Sequence, residues 1–173
     1  GLKATQHISR IVIHPKNPDI LFVAAQGALY GPNEDRGVFK SVDGGASWSK
    51  VLYINNLTGC AELSMDYNNP LVMYAAMWEH QRLPWKVISG GAGSGLYKTA
   101  DGGKTWNRVL EIGEYTGVSD LEMDPRNPDI LYAAIELDRR TGGVYRSADR
   151  GSTWEKRSDA VSGATGPHYY QEL

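Results

Sequence analysis

The feature that most constrains this chain is one turn written three times. Ser41-Val42-Asp43-Gly44-Gly45-Ala46-Ser47-Trp48 returns as Thr99-Ala100-Asp101-Gly102-Gly103-Lys104-Thr105-Trp106 and as Ser147-Ala148-Asp149-Arg150-Gly151-Ser152-Thr153-Trp154. Each copy, here called a box, reads [Ser/Thr]-x-Asp-x-Gly-x-[Ser/Thr]-Trp. Each follows a glycine, an apolar residue, an aromatic and a base: Gly37-Val38-Phe39-Lys40, Gly95-Leu96-Tyr97-Lys98 and Gly143-Val144-Tyr145-Arg146. Self-similarity on this scale marks a supersecondary unit that buries its apolar surface against its neighbours.

A second marker precedes each box. Asn17-Pro18, Asn69-Pro70 and Asn127-Pro128 each stand before an apolar run, Ile20 to Ala25, Leu71 to Met77 and Ile130 to Ile135, which reads as a strand buried on both faces. Ahead of the turn, Ile11-Val12-Ile13, Leu63-Ser64-Met65 and Leu121-Glu122-Met123 give the strand before it. The unit is strand A, Asn-Pro turn, strand B, loop, strand C, box, strand D. Four antiparallel strands per ~50 residues predict an all-β propeller of four-stranded blades. The predicted blades are about 5–54, 58–112 and 116–158, with 159–173 leading into a fourth.

Spacing assigns the two faces. Trp48 to Pro70 and Trp106 to Pro128 are both 22 residues, so the stretch from box through strands D and A keeps a fixed register. From the turn proline to the box the counts are 23 (Pro18 to Ser41), 29 (Pro70 to Thr99) and 19 (Pro128 to Ser147), so length varies only between strands B and C. Boxes and Asn-Pro turns therefore share one face, and the variable loops occupy the other. Three blades alone leave two open sheet faces, which predicts further blades from the same or an adjoining chain as partners.

Composition narrows the function classes. The 173 residues are 41% apolar, enough for a packed core. A net charge of -2 from 18 basic and 20 acidic side chains, without runs of either sign, argues against nucleic acid or an anionic membrane surface as partner. No apolar stretch approaches the ~20 residues of a spanning helix, so direct membrane insertion is not expected. The single Cys60 reads as a small buried residue. His7, His14, His80 and His168 lack metal-ligand spacing, and His14 takes the place of the turn Asp in blade 1. No cofactor or metal is predicted.

The box residues read as structural. The Asp43, Asp101 and Asp149 carboxylates can accept backbone N–H groups that a tight turn leaves unpaired. Gly45, Gly103 and Gly151 allow positive φ. The hydroxyls of Ser41, Thr99 and Ser147 bond locally, and Trp48, Trp106 and Trp154 lay large rings between neighbouring sheets. No catalytic residue is assigned, since one site has no use for three copies of a catalytic acid.

These boxes resemble the Asp-box, or BNR, repeat of sialidases, of xyloglucan-cleaving glycoside hydrolases with tandem propellers, of the sortilin-type receptor propeller and of photosystem assembly factors. The whole unit is most similar to large bacterial proteins of sortilin-like or glycosyl-hydrolase-like repeat type. The resemblance implies a β-propeller and a secreted or periplasmic setting. It implies nothing catalytic by itself, because the repeat is a scaffold element in all these families. The Phe/Tyr-Arg-Ile-Pro motif of sialidases is absent.

Function is expected on the variable-loop face. Candidate ligand residues are Trp78, Glu79, His80, Arg82 and Trp85 in the long blade 2 loop, Tyr30 and Glu34 in the blade 1 loop, and Glu136 in blade 3. The tryptophans suit stacking on a sugar ring or clamping a peptide, with polar contacts from the others. The first expectation is a non-catalytic recognition or scaffold module that binds protein or glycan. A xyloglucanase-like hydrolase with its site partly outside these residues is the alternative, and a propeller docked on a membrane assembly is the third.

Overall fold

The computed structural model describes residues 1–136 and 141–159, so the blade 3 loop at 137–140 and most of the expected lead-in at 159–173 lie outside the described residues. After a short 3-10 turn at Lys3–Thr5, the first sheet runs in the order β1 (Ile8–Ile13), β2 (Leu21–Ala25), β3 (Gly37–Ser41) and β4 (Ser49–Leu52). The second sheet holds β5 (Thr58–Met65), β6 (Met73–Leu83), β8 (Gly95–Thr99) and β9 (Asn107–Leu110), and β7 (Lys86–Ser89) pairs with the far end of β6. The third is β10 (Gly117–Met123), β11 (Leu131–Glu136), β12 (Gly143–Ser147) and β13 (Glu155–Ser158). All pairings are antiparallel, in the A, B, C, D order of a propeller blade.

The repetition extends to the irregularities. The A–B pairing slips at one place in every sheet, between Ile8 and Arg10, Cys60 and Glu62, and Val118 and Asp120. The C–D pairing slips likewise after Val38, Leu96 and Val144. Such bulges bend a strand and re-aim the side chain that follows. On the inner strands they bring Arg10 of β1 onto Glu62 of β5, where both guanidinium contacts measure 2.6 Å.

The core lies between sheets. One cluster joins Val12, Phe22, Ala24 and Val38 of blade 1 to Leu63, Met65, Met73 and Met77 of blade 2, with Trp106 packed against it. A second joins Tyr74, Ala76 and Leu96 of blade 2 to Val118, Leu121, Leu131 and Ile135 of blade 3, with Trp154 alongside. Each large side chain buried there contributes ~1.5–3 kcal/mol. Cys60 is buried in the first cluster, and burial pushes its thiol up, out of reactive range.

Each box is a closed hydrogen-bond circuit. In the first, Ser41 Oγ donates to Asp43 Oδ1 at 2.7 Å and accepts Gly45 N at 2.8 Å; Ser47 N and Ser47 Oγ reach Asp43 at 2.9 and 2.5 Å. Thr99, Asp101, Gly103 and Thr105 repeat the pattern, as do Ser147, Asp149, Gly151 and Thr153. Hydroxyl and then backbone donors hold Asp43 and Asp149 down to about 2, and Asp101 well below the usual carboxylate range. The residue after the Asp is left-handed in all three, φ +68 at Gly44, +73 at Gly102 and +58 at Arg150. Its N–H closes onto the Asn-Pro turn: Gly44 to Asp19 O, Gly102 to Leu71 O, Arg150 to Asp129 O, at 3.0–3.1 Å.

Candidate functional site

On the opposite face, the blade 2 segment read from sequence as a loop is a β-hairpin. Strand β6 runs on past the sheet to Leu83, Pro84-Trp85 turns, and β7 returns with His80 opposite Ser89 and Leu83 opposite Lys86. Along this extension Trp78, His80 and Gln81 are buried, and Glu79, Arg82 and Leu83 are partly exposed. Trp85 stands at the tip, 81% exposed.

The hairpin leans on the blade 1 loop. Arg82 N donates to Leu29 O at 2.9 Å, next to Tyr30, which is 71% exposed. Arg82 braces its own hairpin through Nη1 to Ile88 O at 3.1 Å and Ser89 Oγ at 2.9 Å. The blade 1 loop is gathered around Arg36, a buried guanidinium that donates to Gln26 O at 2.5 Å, to Gly31 O at 2.9 Å and to Ala28 O. Burial lowers its affinity for the proton, and the Glu79 charge acts against that. Asn33 ties the same loop to Ala4 O and Asn56 O.

The predicted residues divide by burial. Trp85, Tyr30 and Glu34 are exposed, and Glu34 is held by Tyr53 Oη and Lys50 Nζ. Trp78 is 2% exposed, edge-on to His80 at 4.3 Å, and a Cβ added at Gly117 would stand 2.0 Å from its Cδ1. A ring so covered offers no face to a ligand; it fastens the base of the hairpin to β10. His80 is buried, and desolvation, then Arg82, Arg36 and His7, lower its pKa to about 3. Glu79 is partly buried, its backbone N–H on Ser94 Oγ at 3.0 Å; burial raises its carboxyl and Arg36 draws it back. Glu136 is buried at the end of β11.

Sequence reasoning missed Arg36 as the organiser of the blade 1 loop. The available signal was a base directly before the glycine that opens strand C. It also missed a groove of about 440 Å³ between the inner strands of the three blades and the turns of blades 2 and 3, lined by Arg10, Glu62, Ser64, Glu122 and Asp124 among others. No predicted ligand residue lines that groove. Among the described residues there is no cluster of three or more His, Cys, Asp or Glu that could hold a metal, and no helix long and apolar enough to cross a membrane.

No family model matches the chain. Over 149 residues it is 26% identical to the oligoxyloglucan-reducing end-specific xyloglucanase of Emericella nidulans and 25% identical to the probable enzyme of that name from Neosartorya fischeri. Each match takes in 84% of this chain and only 17% of the relative, so the chain spans about a sixth of their length. Among solved structures it superposes on the GH74 xyloglucanase from Xanthomonas campestris with TM-score 0.65 and 19% identity, over 86% of this chain and 21% of that one. The GH74 enzyme of Niastella koreensis gives 0.62 and 20%, over 88% and 23%. An ancestral GH74 enzyme gives 0.63 and 20%, over 88% and 18%. These likenesses carry the fold: the three sheets are blades of a β-propeller.

Proposed function

We propose that this chain is a stretch of a larger carbohydrate-active propeller protein similar to the xyloglucanases, and that its hairpin face supplies part of a polysaccharide-binding surface. The observation that carries this is the Trp85 ring, presented 81% exposed at the tip of a braced β-hairpin that is bonded to the blade 1 loop beside the exposed Tyr30. A flat, rigid aromatic with an open face is what a pyranose ring stacks upon, at little cost in side-chain entropy. The named activity of the two curated relatives supports a polysaccharide as the ligand. On this reading the boxes are Asp-box repeats, the blades span about 5–54, 58–112 and 116–158, the remaining blades come from the parent chain, and the protein works outside the cytoplasm.

The comparisons favour the hydrolase over the pure recognition or scaffold module that the sequence put first. Glycoside hydrolysis needs two carboxylates, ~5–5.5 Å apart for retention or ~6.5–9.5 Å for inversion. In the hydrolase form of the reading, the parent protein completes that pair with residues outside this chain, and the present face binds and orients the glucan. Electrophoresis through gels containing xyloglucan, with an α-glucan gel as control, tests the binding. The expected result is retardation by xyloglucan alone, about tenfold weaker for Trp85→Ala and for Tyr30→Ala at unchanged melting temperature. Equal migration in both gels, or retardation untouched by both substitutions, overturns the reading.

A further inference from the structure

The two contacts between blades follow one rule. A ring from strand B lies beneath the box glycine of the next blade: a Cβ added at Gly103 would stand 3.2 Å from Phe22 Cε1, and one at Gly151 would stand 3.4 Å from Tyr74 Cε1. A cation from strand C lies over the same ring, Lys40 at 5.2 Å from Phe22 and Lys98 at 5.4 Å from Tyr74. That cation donates to the carbonyl of the left-handed box residue, Lys40 to Gly102 O at 2.9 Å and Lys98 to Arg150 O at 2.7 Å.

The two contacts differ in charge. Between blades 2 and 3, Tyr74 Oη adds a 2.9 Å bond to Arg150 O, and the Arg150 guanidinium stands 3.7 Å from the buried carboxylate of Asp66 in the blade 2 turn. Between blades 1 and 2 the turn residue is His14, the ring is Phe22, and the left-handed residue is Gly102, which brings no side chain. At these two contacts a turn that opens on an acid, Asp66, faces a base whose Nε is also held by Asp129 of its own blade at 2.6 Å, and a turn that opens on His14 faces a glycine.

The far face of blade 3 repeats the charged version. Tyr132 takes the place of Tyr74, Arg146 lies 6.0 Å over its ring as Lys98 does over Tyr74, and Asp124 takes the place of Asp66. Tyr74 is wholly buried by the third box, whereas Tyr132 is 37% exposed. The local partner of Asp124 is Arg126, 3.3 Å away and almost fully exposed, a pairing of small worth in water.

We propose that this face of the third blade, marked by Asp124, Tyr132 and Arg146, seats the box turn of a further blade that carries a basic residue at its left-handed middle position. Arg146 then donates to that residue's backbone carbonyl, Tyr132 lies under the following glycine, and Asp124 pairs with the base. The inference is independent of what the hairpin face binds.

The test adds a blade of known chemistry. A copy of residues 116–158 joined after residue 163 keeps the 22-residue spacing from Trp154 to the copied turn proline and presents Arg150 in the added box. A sister chain carries Arg150→Gly in the copy only. Both are expected to resist limited proteolysis in the added blade and to melt higher than the 173-residue chain. Asp124→Asn in the original blade is expected to lower the Arg-bearing chain by about 2 °C more than the Gly-bearing one. Equal drops overturn the selection for a base, and digestion of the added blade as an unstructured tail overturns the seat itself.

Discussion

The box face and the hairpin face are built on opposite plans. On the box face, three copies repeat one circuit to within a few tenths of an ångström, with the carboxylates at the solvent edge and turn donors satisfied inside the turn. On the hairpin face the two described connections differ: blade 1 gathers a loop on the buried Arg36, and blade 2 extends a strand into a hairpin over the buried His80. The difference teaches that constancy here belongs to fastening. The face free to vary is the one that carries interior polar groups at a cost, and such a cost is retained where it positions something.

The sharpest break of that comparison is Arg36→Ala. It removes a buried guanidinium from three carbonyls and leaves them uncapped, which should cost about 3 kcal/mol in chemical denaturation and abolish retention in the xyloglucan gel. Asp101→Ala on the other face removes a half-buried carboxylate whose donors lie at the solvent edge of the turn and should cost less, with gel retention unchanged. If Asp101→Ala proves the costlier and the one that loses the glycan, the roles assigned to the two faces are exchanged.

Acid separates the faces next. His80 has its folded pKa lowered to about 3 from 6.5, so below pH 6.5 the unfolded chain takes up a proton that the folded chain refuses. Stability therefore falls as pH drops from 6.5 toward 3, by at most about 1.4 kcal/mol per pH unit for one group. Glu79, raised by burial, acts in the opposite sense. The box carboxylates are depressed, so their contribution is whole above the ordinary Asp value of 3.8 and is lost as pH falls through about 2. Urea unfolding of wild type and His80→Gln at pH 7 and pH 5 checks this: the wild type should lose more stability than the variant. Identical losses would show that His80 titrates normally and that the hairpin base is wet.

The fold was legible because its signals are local and tripled. Asn-Pro, the apolar run and the box each fix a turn or strand by their own chemistry, and the constant 22-residue spacing assigned the faces. The hairpin was not legible. Glu79-His80-Gln81-Arg82 has no apolar–polar alternation to mark a strand, and a B–C connection is ordinarily a loop. Burial of Trp78 was not legible, since the ring is covered by Gly117 of the next blade, about 40 positions along the chain. The inner groove was hidden for the same reason: its walls come from three separate strands.

The smallest expected effect probes the one irregularity of the box face. Arg150 holds φ +58, where a residue with a Cβ is strained by roughly 1 kcal/mol relative to glycine. Against that strain stand its Nε contact with Asp129 at 2.6 Å and the longer reach to Asp66, both partly exposed and each worth only a fraction to about 1 kcal/mol. Arg150→Gly relieves the strain and loses the pairs, so its melting temperature should stay within about 2 °C of wild type. Arg150→Ala keeps the strain and loses the pairs, and should melt lower than both. Raising salt should narrow the gap between wild type and Arg150→Ala, because screening weakens the pairs and leaves the backbone strain alone. A salt-independent gap would assign the role of Arg150 to packing of its stem, and the charge pairing between the second and third blades would then be incidental.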